Sequence, residues 1–453
     1  MTILREDFLW GASTAAHQIE GNNLASDFWA AENAAGPGNP MFQERSGDAC
    51  DSYHRYREDV RLAAEGGLNA YRFSIEWARI EPVKGRFSRA ELLHYRDMID
   101  ACHEHGLTPL VTLHHFTSPA WLAAEGGIAG PRTPGLFARY VDCVSEILHD
   151  VPWIITINEP NILALFGLMT LAAQDAEHSR QAAGDGIARP AGDNADDDEK
   201  DDGVGNGDGV GNGDGVGDGA GAETGDDNGP ADARPALPAP PLEMAAPIIA
   251  MHEAARKVLR DRVPGARIGW SPAGQAFTPT PGNEEVWERV FHQWEGVYLD
   301  ACEQDDFIGV QSYTSQPVDA DGPVPHPDSP DNTLTGWAYR PDALAINLRR
   351  YWERYRKPMV VTENGIATAD DARRIAYTRE ALRGLVAAAA DGVDVRGYCH
   401  WSLLDNYEWG RWEPTFGLIA VDRAHDFERA PKPSLAWLGG VAAENAASLE
   451  PQA

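Results

Sequence analysis

The stretch IITINEP, residues 154–160, is an apolar run that ends in an amide, a carboxylate and a proline. Its three isoleucines favour a buried β-strand, because β-branched side chains fit the packed surface of a sheet. Asn158 and Glu159 then lie at the tip of that strand, where Pro160 ends it. Burying an ionised carboxylate costs several kcal/mol unless it is paired or hydrogen-bonded. Glu159 therefore either reaches water or is placed there for chemistry.

Similar short apolar runs recur along the chain, and amphipathic helical stretches separate them. The patterns predict strands at 8–12, 70–74, 108–115, 153–159, 267–271, 307–313, 359–364 and 395–402. They predict helices at 53–65, 89–105, 135–149, 244–262, 342–356 and 371–390. Eight alternating strands and helices indicate parallel β/α units. We therefore predict a single (β/α)8 TIM barrel over residues 1–453, with its functional residues at the C-terminal ends of the strands.

One segment, residues 172–241, differs in composition from the rest. It contains DNADDDEKDD and the repeat VGNGDGVGNGDGVGDG. Acidic and glycine repeats bury too little apolar surface to offset the entropy of ordering, so we predict a disordered, low-complexity acidic insertion after strand four. A calcium-binding β-roll is the weaker interpretation, because the repeat has six residues rather than nine.

The formal net charge of −32 argues against a nucleic-acid partner, whose phosphates would be repelled. The chain has only five lysines beside thirty-three arginines, and an acidic, lysine-poor surface suits a halophilic protein kept soluble at high salt. The N-terminus lacks a secretory signal pattern, and no apolar run could span a membrane. Five scattered cysteines without a CxxC pair indicate reduced thiols and no zinc site, so we expect a cytoplasmic protein. A homo-oligomer is left open.

Two predicted strands end in glutamate at the same rim of the barrel. Glu159 ends strand four, and Glu363 ends strand seven in the stretch VVTENG. Glycoside hydrolysis needs two such carboxyl groups: one protonates the departing oxygen, and the other attacks the anomeric carbon or activates a water molecule. A separation of roughly 5 Å, typical of enzymes that retain anomeric configuration, is feasible across a small barrel.

Seven stretches of the chain resemble glycoside hydrolase family 1, the β-glucosidase and β-galactosidase family. They occur in the family's order and span most of the chain outside the insertion. The stretches are FLWGASTAAHQIEG (8–21), YRFSIEWARIEP (71–82), TLHHFTSPAWL (112–122), TINEP (156–160), DFIGVQSYTS (306–315), VTENGIA (361–367) and HWSLLDNYEWGRWEPTFGL (400–418).

The resemblance implies a retaining β-glycosidase without metal or cofactor, acting on small β-linked carbohydrates. It implies Glu159 as general acid/base and Glu363 as nucleophile. Arg72 and Tyr313 match the positions that hold the nucleophile, and a cation with a hydroxyl donor would keep the pKa of Glu363 low. The implied substrate-binding residues are Gln18, His115, Asn158, Gln311, Trp401, Glu408, Trp409 and Phe416.

The chain departs from the family pattern in ways that leave the preferred sugar open. Gln311 stands where asparagine is usual, and Phe116 and Thr117 stand where a Trp-Asp pair is common. Glucosides, galactosides and fucosides therefore remain alternatives, and so does transglycosylation in place of hydrolysis. An anionic Glu408 would repel a sugar phosphate, which favours an unphosphorylated sugar. A non-catalytic sugar-binding barrel is disfavoured, because both carboxyl groups are present.

Overall fold

The computed structural model describes residues 4–36, 38–167 and 238–449. One parallel sheet in these ranges has nine strands: the short Ala273–Gly274, which no sequence pattern predicts, and eight that coincide with predicted strands. The eight are β1 (Leu9–Ser13), β2 (Ala70–Ser74), β3 (Thr108–Thr112), β4 (Trp153–Asn158), β5 (Arg267–Ser271), β6 (Ile308–Ser312), β7 (Met359–Asn364) and β8 (Val395–Trp401).

The strands follow the order β5-β4-β3-β2-β1-β8-β7-β6. The two ends of this order meet, because Ala273 and Gly274, just after β5, pair in parallel with Gln311 and Ser312 of β6. The backbone amide of Asp306 also donates to the carbonyl oxygen of Ile268 at 2.9 Å. The sheet therefore curves into a nearly closed barrel, and the predicted (β/α)8 class is confirmed.

Helices cover the outside of the barrel and its connecting loops. The α-helices are Ala16–Ile19, Asp27–Ala34, Ser52–Glu65, Trp77–Ile80, Arg89–Glu104, Thr133–Val144, Ala245–Arg262, Glu284–Phe291, Val297–Asp300, Ala343–Tyr355, Asp371–Ala390 and Pro433–Ala443. A further helix begins at residue 160 and is described to residue 167. The shorter turns are 3₁₀ segments at Ala120–Glu125, Gly127–Ala129, Ser145–Ile147, Leu242–Met244, Ala301–Gln304 and Ala447–Leu449, with a π-helical turn at His292–Gly296.

Two small sheets lie outside the barrel. Ile419–Asp422 pairs antiparallel with Glu428–Pro431, and a second sheet joins Thr278–Pro279, Pro317–Asp319 and Gly322–Pro323. Within the described ranges, no helix has both the length and the apolar composition needed to cross a lipid bilayer.

Several predicted boundaries differ from the structure. The helix predicted at 135–149 begins at Thr133, where Pro134 occupies the first turn and loses nothing by lacking an N–H group, and it ends at Val144. Strand β3 stops at Thr112, so His114 and His115 belong to the following loop. The insertion predicted at 172–241 lies outside the described residues except for 238–241. Within those four, Pro240 is buried and its carbonyl oxygen accepts a hydrogen bond from Gln293 at 3.1 Å, so the fold resumes before the predicted boundary.

The barrel packs two layers of apolar side chains. The interior layer comes from alternate residues of the strands, including Ile155 and Val360, while Ile154 and Val361 face the surrounding helices. This alternation is the ordinary period-two pattern of a strand. It determines which side chains can reach the mouth of the barrel.

Candidate active site

Register shifts in β4 and β7 bring two polar side chains into the barrel. In β4 the pairing with β5 shifts between Ile155 and Asn158. In β7 the pairing shifts between Val361 and Glu363 on one side and between Val361 and Asn364 on the other. A bulge of this kind reverses the alternation of side chains. Without it, residues 158 and 363 would fall on the helix-facing side, because Ile155 and Val360 face inward.

The carboxylate of Glu363 is buried and held by three donors. Arg72 NH1 lies 2.6 Å from Oε1 and Gln311 Nε2 lies 2.8 Å from the same oxygen. The hydroxyl of Tyr313 donates to Oε2 at 2.5 Å. Arg72 is fully buried and is itself oriented by Thr112, whose Oγ1 accepts from Nε at 3.1 Å. The four residues thus form a rigid clamp around the Glu363 carboxylate.

Asn158 joins this clamp to β4. Its Oδ1 accepts hydrogen bonds from Arg72 NH2 and Gln311 Nε2, each at 2.6 Å. Arginine has donors only, so the Asn158 atom that faces it is the oxygen, and the amide nitrogen faces His115 Nε2 at 3.1 Å. His115 Nε2 must then accept, which assigns the ring proton to Nδ1. Burial and the nearby Arg72 charge lower the pKa of His115 well below its ordinary value, consistent with a neutral ring.

Glu159 lies in a different setting, one residue beyond β4. Its φ is +40°, a left-handed conformation that costs a non-glycine residue roughly 1–3 kcal/mol. The backbone holds it there: its amide donates to Ser271 O at 2.8 Å, and its carbonyl oxygen accepts from Leu163. The side chain is partly exposed, and no donor in the described part of the chain bonds its carboxyl group.

The pKa values of the two carboxyl groups are shifted unequally. Desolvation, and then the negative charge of Glu363, raise the pKa of Glu159 well above its ordinary value. Burial also raises the pKa of Glu363, although Arg72 and Tyr313 lower it. The expectation that these two residues keep the pKa of Glu363 low is therefore wrong in its net direction, because burial outweighs them. Of the two groups, Glu159 is the one that retains a proton to higher pH.

Aromatic rings from the C-terminal end of β8 and from the segments that follow β1, β3 and β8 form a stacked wall beside the clamp. His115 stacks on Trp401 with centroids 5.8 Å apart and on Trp409 at 6.1 Å. His17 also stacks on the Trp409 ring at 5.8 Å, and Phe116 makes a T-shaped contact with that ring at 5.0 Å. Flat aromatic faces suit the C–H face of a sugar ring.

Glu408 and Gln18 lie beside this wall. Glu408 Oε1 accepts from the indole nitrogen of Trp401 at 3.2 Å. Burial raises the pKa of Glu408 to about 8, so the side chain is mostly protonated at neutral pH, and the assumption of an anionic Glu408 is wrong for the unliganded protein. Gln18 Nε2 donates to Asn406 Oδ1 at 3.0 Å and to Tyr407 O at 2.9 Å, which fixes the orientation of its amide.

Among the buried polar atoms that lack a hydrogen-bond partner within the described residues, three belong to residues implied to bind substrate. They are Gln18 Oε1, Gln311 Oε1 and His115 Nδ1. Two are acceptors and one is a donor, which is the complement needed by hydroxyl groups that both donate and accept. Leaving such groups buried and unpaired costs free energy, so their presence points to a polyhydroxylated ligand.

Comparison with known proteins identifies the family. The profile described as Glycosyl hydrolase family 1 matches residues 1–182 and 297–447. This chain belongs to glycosyl hydrolase family 1. It is therefore a glycosyl hydrolase, and the resemblance read from the sequence is confirmed.

Individual relatives cover nearly the whole chain. A solved structure titled beta-glycosidase BGL167 is 38% identical, with a TM-score of 0.77 and full coverage of both chains. Beta-glucosidase A of Thermotoga maritima is 28% identical over 97% of this chain and 98% of its own length. Aryl-phospho-beta-D-glucosidase BglC of Bacillus subtilis is 29% identical, covering 98% of both. A relative named as a β-glucosidase and one named as a phospho-β-glucosidase thus have similar sequence identity to this glycosyl hydrolase.

The structure of this glycosyl hydrolase places Phe416 and adds residues that the sequence did not single out. Phe416 is buried and packs edge-on against Tyr313 at 5.9 Å, and Trp337 contacts the same tyrosine at 5.6 Å. Tyr377 donates to Tyr313 O at 2.6 Å, and Asn364 donates to Ser312 O at 2.6 Å. These two bonds fix the backbone that carries Tyr313. Asn364 lies inside a motif that the sequence analysis quoted, whereas Tyr377 and Trp337 carry no comparable signal.

The residues of this glycosyl hydrolase that the structure describes contain no group of three or more His, Cys, Asp or Glu arranged to hold a metal ion.

Proposed function

We propose that this glycosyl hydrolase is a retaining β-glycosidase that releases the non-reducing-end sugar of unphosphorylated β-glucosides and β-galactosides. Glu363 is the nucleophile and Glu159 the general acid/base. The observation that carries the proposal is the unequal setting of the two carboxyl groups. Glu363 is fixed by Arg72, Gln311 and Tyr313, whereas the described residues provide no such donor to Glu159, which keeps its proton to higher pH.

In the first step the Glu363 carboxylate forms a bond to the anomeric carbon as the bond from that carbon to the aglycone oxygen breaks. The departing oxygen takes the proton from Glu159, whose raised pKa supplies a protonated acid near neutral pH. Arg72 and Tyr313 orient the carboxylate, so little reorganisation is needed during attack.

In the second step a water molecule attacks the glycosyl-enzyme ester. Glu363 is then neutral, which removes the charge that helped to raise the pKa of Glu159. Glu159, now ionised, takes a proton from that water, and the carboxylate of Glu363 leaves. An alcohol in place of water would give transglycosylation by the same step.

Substrate recognition follows from the unpaired polar atoms and the aromatic wall. Gln18 and His115 offer one acceptor and one donor to ring hydroxyls, and Trp401 and Trp409 offer aromatic faces. Glu363 carries the negative charge of this buried site, and the neutral carboxyl group of Glu408 offers no compensating cation, so burial of a phosphate dianion there would be unfavourable. This disfavours the phosphoglycoside substrate suggested by the name of the Bacillus relative.

A panel of aryl β-glycosides tests the proposal. We expect turnover of the gluco, galacto or fuco compound and little turnover of the 6-phosphogluco compound. Retention is read from the anomeric configuration of the first product by proton NMR. Binding without turnover of any sugar would favour the non-catalytic sugar-binding barrel and contradict the proposal. Release of aglycone in excess of free sugar, in the presence of an alcohol acceptor, would favour transglycosylation.

The cellular setting belongs to the same proposal. The net charge of −32 and the five reduced thiols support a cytoplasmic enzyme adapted to high salt, in which self-repulsion of the acidic surface is screened. Thermal unfolding at low and molar KCl is the test of adaptation, and equal melting temperatures in the two conditions would contradict it.

A further inference from the structure

Gln311 of β6 contacts both halves of the site through one atom. Its Nε2 lies 2.6 Å from Asn158 Oδ1 and 2.8 Å from Glu363 Oε1. Both of these are acceptors, so the atom facing them is the amide nitrogen. Its two protons are engaged by protein, and a sugar hydroxyl would have to displace one of them. The contact with substrate implied by the family resemblance is therefore not available to this nitrogen.

The donors around Glu363 are shared unevenly between its two oxygens. Oε1 accepts from Arg72 at 2.6 Å and from Gln311 at 2.8 Å, whereas Tyr313, at 2.5 Å, is the one donor to Oε2 in the part of the chain that the structure describes. A carboxylate oxygen that accepts two hydrogen bonds, one of them from a cation, donates its electrons less readily than one that accepts a single neutral bond. The two oxygens are therefore chemically distinct before substrate binds.

We propose that Gln311 is a positioning residue for the nucleophile, which with Arg72 anchors Oε1 of Glu363 and leaves Oε2 to attack. The inference rests on the proposed function and assigns to Gln311 a role other than sugar binding. Anchoring one oxygen from β2 and β6 fixes the plane of the carboxylate, because the two donors approach it from different strands.

The bond changes follow from this assignment. A lone pair of Oε2 forms the bond to the anomeric carbon, and the bond from that carbon to the aglycone oxygen breaks. The aglycone oxygen takes the proton of Glu159. Oε1 becomes the carbonyl oxygen of the ester and remains an acceptor for Arg72 and Gln311, while the bond from Tyr313 to Oε2 weakens as that lone pair is used. Gln311 thus keeps its bond through the step.

The other end of the Gln311 amide links this role to the substrate. Oε1 of Gln311 is buried and has no partner among the described residues. It can accept a hydrogen bond from a sugar hydroxyl while Nε2 holds Glu363. The length of glutamine matters, because asparagine is shorter by one C–C bond of about 1.5 Å and cannot keep both 2.6 Å and 2.8 Å contacts from the same backbone position.

The test replaces Gln311 with methionine, which has similar length but no donor. The matched control is Gln316→Met, because Gln316 Nε2 donates to Val324 O at 3.2 Å, outside the site. For Gln311→Met we expect kcat on an activated aryl β-glycoside to fall roughly 10- to 100-fold, the size typical of a lost hydrogen bond to a charged group. The acid limb of kcat/KM against pH should move to higher pH, since Glu363 loses a donor to its ionised form.

A role limited to sugar binding predicts a different result. In that case KM rises, the acid limb stays in place, and the loss disappears for a glycoside that lacks one ring hydroxyl. That outcome, or a Gln311→Met enzyme that matches Gln316→Met in both kcat and acid limb, would overturn the inference. Gln311→Asn, which keeps a buried amide, is the second variant if Gln311→Met does not fold, and it should show the same shift of the limb.

A readout without turnover separates this inference from the proposed function. Carbon-13 NMR of glutamate-labelled protein gives the titration of Glu363, identified by its absence in Glu363→Gln. A raised pKa of Glu363 in Gln311→Met supports the positioning role even if the wild type cleaves none of the glycosides tested. An unchanged pKa contradicts the positioning role even if the wild type is fully active.

Discussion

Glu363 and Glu159 end two strands at the same mouth of the barrel, and their surroundings are opposite. Glu363 is buried at the end of β7 and accepts hydrogen bonds from Arg72, Gln311 and Tyr313. Glu159 follows β4 in a left-handed conformation, partly exposed and without a donor to its carboxyl group in the described chain. We propose that the same residue type thus takes two chemical roles from its environment, one as a fixed anion and one as a proton donor.

Removing the nucleophile should have the largest effect. We expect Glu363→Gly to lower kcat on an activated aryl β-glycoside by roughly 10⁴-fold or more, because no other group can form the covalent intermediate. Added azide should restore part of the activity by entering the space of the lost side chain, and the glycosyl azide should have inverted configuration. A Glu363→Gly protein that unfolds at the wild-type temperature and retains wild-type activity would contradict the proposed difference in role between Glu363 and Glu159.

Replacing Arg72 should lower the free energy of unfolding and raise the pKa of Glu363. Arg72→Met leaves the Glu363 carboxylate buried without its cation, and loss of one partner of a buried pair costs about 3–5 kcal/mol of unfolding free energy. The acid limb of activity should also move to higher pH. The control is Arg61→Met, which removes an exposed pair with Glu65 worth only about 0.3–0.5 kcal/mol. Equal losses for the two variants by urea unfolding would contradict a buried clamp.

Removing the proton donor should produce a loss that depends on the leaving group. For Glu159→Ala we expect roughly 10²- to 10⁴-fold slower turnover of alkyl β-glycosides, whose alkoxides leave only when protonated. Formation of the glycosyl-enzyme from a dinitrophenyl glycoside should change little, since that group leaves as an anion. The measurement is the dependence of kcat/KM on leaving-group pKa, and the same slope as the wild type would exclude Glu159 as the acid.

Removing the single donor to Oε2 should have a smaller effect. Tyr313→Phe deletes one hydroxyl and keeps the ring packing with Trp337 and Phe416. We expect kcat to fall roughly 10- to 100-fold, the range for a lost hydrogen bond to a charged group. Tyr339→Phe is the matched control, because that ring packs against Tyr377 away from Glu363. Comparable losses of kcat in both variants would contradict the role of the Tyr313 hydroxyl as a donor to the nucleophile.

The smallest predicted effect is a change, in Glu408→Gln, in how the free energy of unfolding depends on pH. The pKa of Glu408 is raised to about 8, so the folded protein holds a proton there that the unfolded chain releases at lower pH. This contribution to stability is complete below the ordinary glutamate pKa and is lost as pH rises toward 8. Glu408→Gln should therefore gain unfolding free energy relative to the wild type across that range and show a constant difference above it. A difference independent of pH would place Glu408 in contact with solvent.

The sequence was sufficient for the barrel and for the position of Arg72. Eight apolar runs separated by helical patterns leave few topologies, and in β2 simple alternation places Arg72 on the same interior face as Ala70. Alternation fails in β4 and β7. Ile155 and Ile157 would share a face in a regular strand, yet the register shift before Asn158 separates them. The sequences IITINEP and VVTEN carry no signal for the position of a register shift, because the pairing with the neighbouring strands determines where the shift occurs.

The sequence also could not predict the net pKa shift of Glu363 or the hydrogen bonds around its carboxylate. A cation and a hydroxyl were expected to lower its pKa, but the sequence gives no measure of desolvation, and burial outweighs both. No sequence pattern indicated that the amide nitrogen of Gln311 is held between Asn158 and Glu363, which leaves its Oε1 for the expected contact with the sugar. Such contacts depend on the depth of a side chain in the barrel, which follows from three-dimensional packing.

The central claim is that burial, together with the negative charge of the neighbouring Glu363, makes Glu159 retain its proton to higher pH. The most direct test is the pKa of Glu159, measured by carbon-13 NMR of glutamate-labelled wild type and Glu363→Gln and identified by its absence in Glu159→Gln. We predict a clear fall in that pKa in Glu363→Gln, because the negative charge that raises it is gone. A pKa of Glu159 that is the same in both proteins would contradict the claim.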